Sequence, residues 1–404
     1  MDNTPSIPKY PGAIRIDYVN HKSSQDVLDI ASFIVRIEFN ADIDIDCSTC
    51  EILIGDSIAL ESKRDFHPGD EISVSITHDD ESTYVRKYRI MRTENNIIGE
   101  KVSGYVLKCV SNLFYTSFHA KVNKAYSGNP SEIARIIFDE FTDENSEVWE
   151  KSLNNISVIV PTWSPTQTLK WLAKKSSAGS GNNRMFFYQD TKQKYNFTSI
   201  EYLKSVKGAK PRKYTFMKDT TWKNGAPDKD SAMEAIQHLV KHNALDIKRE
   251  IKNGSIKNTF VDIDITTKSF SIQTNTYWDT YNSSNLNGIN AWKETSYGPS
   301  NVVVRNMPSS INKFPTRPQD QSDETFTYGK AHQIEITVMG TPLVDVGSIV
   351  DIFIPQIKPH TEEEDTVADP LWSGLYIVVA KRDYIDHLGH SMTLRLAKDS
   401  LGDI

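Results

Sequence analysis

Two distant stretches of the chain share one spacing of glycine and apolar residues. Gly69 is followed by Ile72, Val74 and Ile76 at offsets +3, +5 and +7, and Gly347 by Val350, Ile352 and Ile354 at the same offsets. Alternate side chains of a strand face the same side, so each glycine opens a strand with one apolar face. Each is followed by a strand carrying a tyrosine, Tyr88 or Tyr376, and then by a closing strand, 105–110 or 392–397. From the tyrosine to the central leucine of the closing strand is 19 residues in the first stretch (Leu107) and 18 in the second (Leu394). From glycine to tyrosine is 19 residues in the first and 29 in the second, and the ten extra residues include the acidic run Glu362-Glu-Glu-Asp365. Apolar alternation alone is common to unrelated β regions. The ordered set of matched spacings points instead to duplication of one small antiparallel barrel.

The rest of the chain is read around that repeat. The first 125 residues are rich in short period-two runs, such as 34–39, 71–76, 88–92 and 105–110, with Glu94-Asn-Asn96 as turn chemistry. Asp42, Asp44 and Asp46 alternate with isoleucines, which places them on one strand face. The middle is mixed. A helix starts at Asn129-Pro130, with Ile133, Ile136, Ile137 and Phe141 as its apolar stripe. A second starts at Ser164-Pro165, with Gln167 at capping-box spacing; a hairpin of 184–188 and 195–200 follows. A third helix is expected from Ser231, with Glu234 completing a box and Met233, Ile236, Leu239 and Val240 facing inward. Residues 274–330 are rich in Asn, Ser, Pro and Gly, and 316–323 reads as a linker or extended loop. The expected fold is α+β, mainly β: two duplicated small antiparallel β-barrel domains flank an α/β middle region. The divisions are 1–125, 126–325 (with a polar extended segment at 274–325) and 326–404.

Composition excludes several functions. The 404 residues suffice for about two to four domains, and 38% hydrophobic with 25% charged residues means a folded chain. Net charge is −7, which argues against nucleic-acid or membrane-surface binding through overall basicity. No apolar run approaches the ~20 residues of a membrane span. Residues 1–10 are polar and lack a signal-peptide core. Three cysteines are too few for a disulfide framework, which suits a reducing cytosol.

No motif selects a chemistry. Cys47-Ser-Thr-Cys50 has the spacing of half a zinc site, but no second pair follows, so it reads as two cysteines about a turn. His238 and His242 stand at i and i+4 on the third expected helix, but Leu239 stands where a metalloprotease needs Glu, so a solvated face is expected. His387 and His390 flank Gly389 in an expected β-turn, as surface residues. Gly179-Ser-Gly181 has Arg184 where a dinucleotide loop needs a third Gly, and lies between helix and strand in the wrong order. The Asp42, Asp44, Asp46 face and the Glu362–Asp365 run read as solvated. No carboxylate pair is singled out for glycoside hydrolysis. The expectation is no catalytic residue, no cofactor and no metal site.

Three ordered stretches resemble the hub proteins of contractile phage tail baseplates, which are related to the N-terminal part of type VI secretion spike proteins. The first is Pro68-Gly-Asp-Glu-Ile-Ser-Val-Ser-Ile76 with the strands to Val110. The second is Val160-Pro-Thr-Trp-Ser-Pro-Thr-Gln-Thr-Leu169 through Trp171-Leu-Ala173, then Arg184-Met-Phe-Phe-Tyr-Gln-Asp190. The third is Met339-Gly-Thr-Pro-Leu-Val-Asp-Val-Gly347, then Ser373-Gly-Leu-Tyr-Ile-Val-Val379 and Met392-Thr-Leu-Arg-Leu396.

The resemblance implies a homotrimeric cup without an active site, adapting a six-fold tail tube to a three-fold central spike. Barrels meet the tube, and the middle domains grip the spike. Its partners are then the tail tube protein, the spike and other baseplate proteins, with no membrane. DNA and the tape-measure protein pass without specific binding through a channel expected to be neutral to acidic. Its place is the virion tail baseplate, assembled in the host cytoplasm. The chain ends at Ile404 without a fused spike, so the spike is expected to be a separate protein. The alternatives are the hub of a type VI or extracellular contractile injection system, and a tail-associated carbohydrate-binding protein or hydrolase.

Overall fold

The computed structural model describes residues 14–23, 26–58, 66–78, 83–98, 103–144, 146–178, 185–205, 211–216, 222–223, 226–227, 229–243, 257–276, 286–289, 301–306, 332–356, 367–387 and 389–402. Strand dominates and helices are few and short, so the class is α+β, mainly β. In the first part, strands β1 (Ile14–Ser23), β2 (Ile34–Asp42), β3 (Thr49–Asp56), β4 (Glu71–His78), β5 (Thr83–Ile98) and β6 (Ser103–Ser111) form antiparallel pairs. Their spatial order is β1-β4-β5-β6-β3-β2. The period-two runs turn Ile37, Ile52, Ile72, Val74, Tyr88 and Leu107 into one buried cluster. Two local expectations fail. Glu94-Asn-Asn96 is not a turn: β5 runs through it, with Glu94 opposite Val106 and Asn95 opposite Tyr105. A ready partner strand overrides the weak local turn preference. The Asp42/Asp44/Asp46 alternation is not a strand face either. The strand ends at Asp42, whose side chain accepts a hydrogen bond from the Asp44 N–H at 2.9 Å. That side-chain mimic of a turn buries Ile43 and leaves Ile45 exposed.

The middle carries α1 (Asn112–His119), α2 (Pro130–Phe141), α3 (Pro165–Lys175) and the hairpin of β7 (Met185–Gln189) with β8 (Tyr195–Ser199). Both expected caps form: the Asn129 side chain accepts from the Ser131 N–H at 3.1 Å, and Ser164 Oγ from the Gln167 N–H at 3.3 Å. The stripe of α2 differs by one position. Ile133, Ala134, Ile137 and Phe138 are buried, whereas Ile136 is 57% exposed. One residue turns the helix by 100°, and the aromatic Phe138 takes the inward place beside Trp149 and Tyr195.

The last part begins with β9 (Arg212–Phe216) and β10 (His238–Asn243), followed by β11 (Lys257–Asp264), β12 (Ser269–Thr276) and β13 (Asn301–Asn306). It ends with β14 (His332–Met339), β15 (Ile349–Phe353), β16 (Gly374–Asp386) and β17 (Gly389–Lys398). The third expected helix is only Lys229–Glu234. Leu239 and Val240 lie in β10, antiparallel to β14, because a short apolar run takes whichever form its neighbour completes. Part of the polar segment is also ordered as strand: Val302 to Val304 of β13 run parallel to β11. Residues 316–323, the Gly179-Ser-Gly181 turn with Arg184, and Glu362–Asp365 lie outside the described residues. The strand order here is β9-β15-β16-β17-β14-β10. A separate apolar cluster forms around Tyr214, Ile336, Val350, Tyr376 and Leu394. Among the described residues no helix is long and apolar enough to cross a membrane.

Candidate functional site

The two sheets match residue by residue at the repeat. Gly69 and Gly347 both have left-handed backbones, with φ of +99° and +87°. The Gly69 N–H donates to the Ile90 carbonyl at 2.8 Å, and the Gly347 N–H to the Val378 carbonyl at 2.9 Å. Return bonds run from Ile90 N–H to the Asp70 carbonyl and from Val378 N–H to the Ser348 carbonyl, both 2.9 Å. A tyrosine hydroxyl sits on each glycine, Tyr115 on Gly69 and Tyr188 on Gly347, where a Cβ would intrude. Ile72 faces Tyr88 as Val350 faces Tyr376. Each tyrosine strand then has an irregularity two residues later, between Ile90 and Arg92 and between Val378 and Ala380. Leu107 pairs with Thr93 and Ile52, and Leu394 with Lys381 and Ile336. Ile37 pairs with Ile52 as Leu239 pairs with Ile336. The match stops at the last strand: β1 joins β4 antiparallel, whereas β9 joins β15 parallel.

These sheets meet along one seam. β16 is 13 residues long. Its first residues pair with β15, and beyond the irregularity residues 380–386 pair antiparallel with β2, from Ala380 opposite Asp42 to Asp386 opposite Arg36. An irregularity of this kind bends a strand and lets its two halves serve different neighbours. Two inward side chains of β16 at the seam, Lys381 and Asp383, are polar among the apolar Ala41, Phe39, Ile37 and Ile385, which is costly unless they are paired. Lys381 Nζ lies 3.1 Å from Asp383 Oδ2, and His390 Nε2 lies 2.9 Å from Asp383 Oδ1, all three buried. Burial pushes the Asp383 carboxyl up, but Lys381, the His390 hydrogen bond and Arg86 together hold it well below the usual carboxylate range. Lys381 also reaches Thr191 Oγ1 at 3.3 Å, whose hydroxyl donates to Asp345 Oδ2 at 2.6 Å. On the other face, Arg382 pairs with the buried carboxylate of Glu38, which Arg36 also meets at 2.8 Å. Arg395 pairs with Asp42 at 2.6 Å.

The middle hairpin and helices brace this seam. Gln189 Oε1 accepts from Ser48 N–H and Oγ–H at 3.0 and 2.9 Å, and Lys170 Nζ donates to the Asp44 carbonyl at 2.7 Å. Phe186 and Tyr188 of β7 share an apolar cluster with Ala41, Ile43, Val346 and Val379. Asp190, beside Asp345, is pushed up to about 7, first by burial and then by that neighbouring carboxylate.

The residues weighed for chemistry are dispersed. Cys47 and Cys50 are buried free thiols, and Cys50 faces Cys109 across β3 and β6. Burial, with Asp46 beside it, pushes the Cys47 thiol up to about 12, so it stays protonated. His238 and His242 lie on a strand, where four residues span roughly 13 Å, so they cannot share a metal ion. His387 is exposed as expected, but His390 is not a surface residue; it is 7% exposed and bonded to Asp383. Among the described residues no three His, Cys, Asp or Glu side chains are grouped to hold a metal. Sequence reading missed the seam pair Lys381 and Asp383. The available signal was their inward phase: they continue the alternation that ends on buried Ile385.

At the level of sequence, no protein-family model and no curated protein matches the chain. Solved structures do match. A tail protein from Neisseria meningitidis MC58 superposes with TM-score 0.58 at 13% identity, covering 95% of this chain and 96% of that one. The 43 kDa tail protein of prophage MuSo2 from Shewanella oneidensis gives 0.56 at 9% identity, covering 95% and 99%. A chain of a Francisella PdpA–VgrG complex gives 0.52 at 10% identity, and the match covers 97% of this chain but 53% of that one. The chain therefore has, over nearly its whole length, the fold of these two tail proteins, and it shares a fold with a chain of the PdpA–VgrG complex.

Proposed function

We propose that the protein is a structural baseplate hub of a contractile phage tail, a homotrimer that adapts a six-fold tail tube to a three-fold central spike. The observation that carries this reading is the matched pair of sheets. One chain holding two copies of one module offers two equivalent surfaces, so three chains offer six. The match to two tail proteins over nearly their whole length supports a tail-associated structural role. In this reading residues 1–125 and 326–404 form barrel domains against the tube, with β9 and β10 completing the second sheet. Residues 126–325 form the cup wall around the spike. Other baseplate proteins surround it, and DNA and the tape-measure protein pass through a neutral to acidic channel. The role needs no catalysis, metal or cofactor, and its place is the virion tail baseplate, reached by assembly in the host cytoplasm. The VgrG likeness favours, as second reading, the equivalent hub of a type VI or extracellular contractile injection system.

Light scattering on the purified chain, alone and with its spike protein, tests the role. A trimer in either sample supports it, and a monomer in both rules it out.

A further inference from the structure

The seam between β16 and β2 uses one edge from each sheet, and the matched registers show which edges its counterpart would use. Thr93 and Lys381 occupy equivalent places opposite Leu107 and Leu394. Residues 92–98 of β5 therefore correspond to residues 380–386 of β16, the part that carries the seam. Phe39 pairs with Cys50 and Lys241 with Ile334, so β10 corresponds to β2. Residues 380–386 are covered by β2, whereas residues 92–98 have β6 on one edge and, among the described residues, no strand on the other. β2 lies between β3 and β16, whereas β10 pairs, among the described residues, with β14 alone. The two open edges are thus the two halves of a second seam that one chain cannot close on itself, because they belong to opposite ends of its paired sheets.

We propose that residues 92–98 of one subunit pair antiparallel with β10 of the next copy of the same chain, repeating the internal seam between subunits. The inference rests on the trimeric reading above and deepens it by naming the contact. Three copies then hold six seams, three within chains and three between them, and neither of these two edges is left to template further addition. Transfer of register is direct. Arg382 lies opposite Asn40 and Asp383 opposite Phe39, so Glu94 is to lie opposite His242 and Asn95 opposite Lys241 of the neighbour. Glu94 now pairs with Arg92 of its own strand at 2.6 Å and lies 4.0 Å from Lys108 of β6, and His242 lies 3.9 Å from Glu335 of β14.

The test is a pair of cysteines at one predicted cross-subunit position. Opposed residues of an antiparallel pair stand about 4.5–5.5 Å apart at Cα, within disulfide reach. The double variant Glu94→Cys/His242→Cys, mildly oxidised, should give covalent dimers and trimers on a non-reducing gel and nothing larger. Each single variant should give neither. Asn40→Cys/Arg382→Cys is the internal control and should cross-link within one chain. The native thiols at 47, 50 and 109 are buried and do not compete. Hydrogen exchange on the unaltered chain gives a second measurement: amides of 92–98 and 238–243 should exchange at least about tenfold more slowly in the trimer than in dilute monomer. A trimer by light scattering that neither cross-links at 94/242 nor protects these strands overturns the pairing and leaves the trimer standing. A chain that stays monomeric with and without its spike overturns both. Cross-linked ladders beyond three overturn the closed ring.

Discussion

Replacing Gly69 with alanine probes the turn that opens the repeated strand. The added Cβ would lie 2.5 Å from Tyr115 Oη and 3.2 Å from its Cζ, at a backbone φ of +99°. Holding an L side chain in the left-handed region costs about 1–2 kcal/mol. Displacing the end of a half-buried ring adds about 1–3 kcal/mol as overpacking, so Gly69→Ala should lose about 2–5 kcal/mol. Tyr115→Phe removes the atom at 2.5 Å and leaves a tight but tolerable carbon at 3.2 Å. The double variant should then cost about 1–2 kcal/mol less than the sum of the singles, with the backbone part unrelieved. Gly347→Ala repeats the experiment in the second sheet, with its Cβ 2.6 Å from Tyr188 Oη but also 3.2 and 3.3 Å from the Leu203 methyls. The loss should be similar and the rescue by Tyr188→Phe smaller, because Leu203 stays. Urea midpoints at constant m-value give the numbers. Strict additivity of Gly69→Ala with Tyr115→Phe, or a Gly69→Ala cost below about 0.5 kcal/mol, refutes the steric reasoning.

Three further outcomes follow from named contacts. Asp383→Asn strands the buried Lys381 ammonium and should cost about 3–5 kcal/mol, while Lys381→Met/Asp383→Asn should recover most of it; equal losses in single and double variants, read from urea unfolding, would contradict the pairing. Asn129→Ala removes the cap of α2 and the side-chain bond to the Ser152 carbonyl, and should lower stability by about 1–2 kcal/mol, whereas an unchanged melting temperature would exclude the capping role. Asp190 has its folded pKa raised to about 7 from an ordinary 3.8, so the native state holds a proton that the unfolded chain releases. Its contribution is present in acid and fades as pH rises toward 7; Asp190→Asn should flatten that fall in melting temperature between pH 4 and 7, and an unaltered slope would sink the assignment.

The strands of the repeat were legible because burial on one face writes a period of two into the residues themselves. Ile72, Val74 and Ile76, and their counterparts Val350 and Ile352, needed no partner to be recognised. The caps at Asn129 and Ser164 were legible for a similar reason: the bond that stops the chain spans three residues or fewer. The misreadings all lie where a distant partner decides. Leu239 and Val240 suit a helix face and a strand alike, and β14 made them strand. Glu94 to Asn96 has turn chemistry, but β6 offered a ladder to continue. His390, taken for a turn residue, is buried because Asp383 and Lys381 lie beneath it.

By itself, then, the sequence determined the β character, the two glycine-opened strands with their shared spacing, and the near-equal distances from Tyr88 to Leu107 and from Tyr376 to Leu394. Those features depend on local backbone freedom and on side-chain periodicity, both set by neighbours in the chain. Only the tertiary structure decided that residues 380–386 of β16 leave β15 to join β2, that Lys381 and Asp383 are buried at that seam, and that the two corresponding edges have, among the described residues, no partner strand. Hydrogen-bond pairing between strands depends on which edges are brought together. The backbone groups that pair are the same in every residue, so no side-chain pattern records the choice.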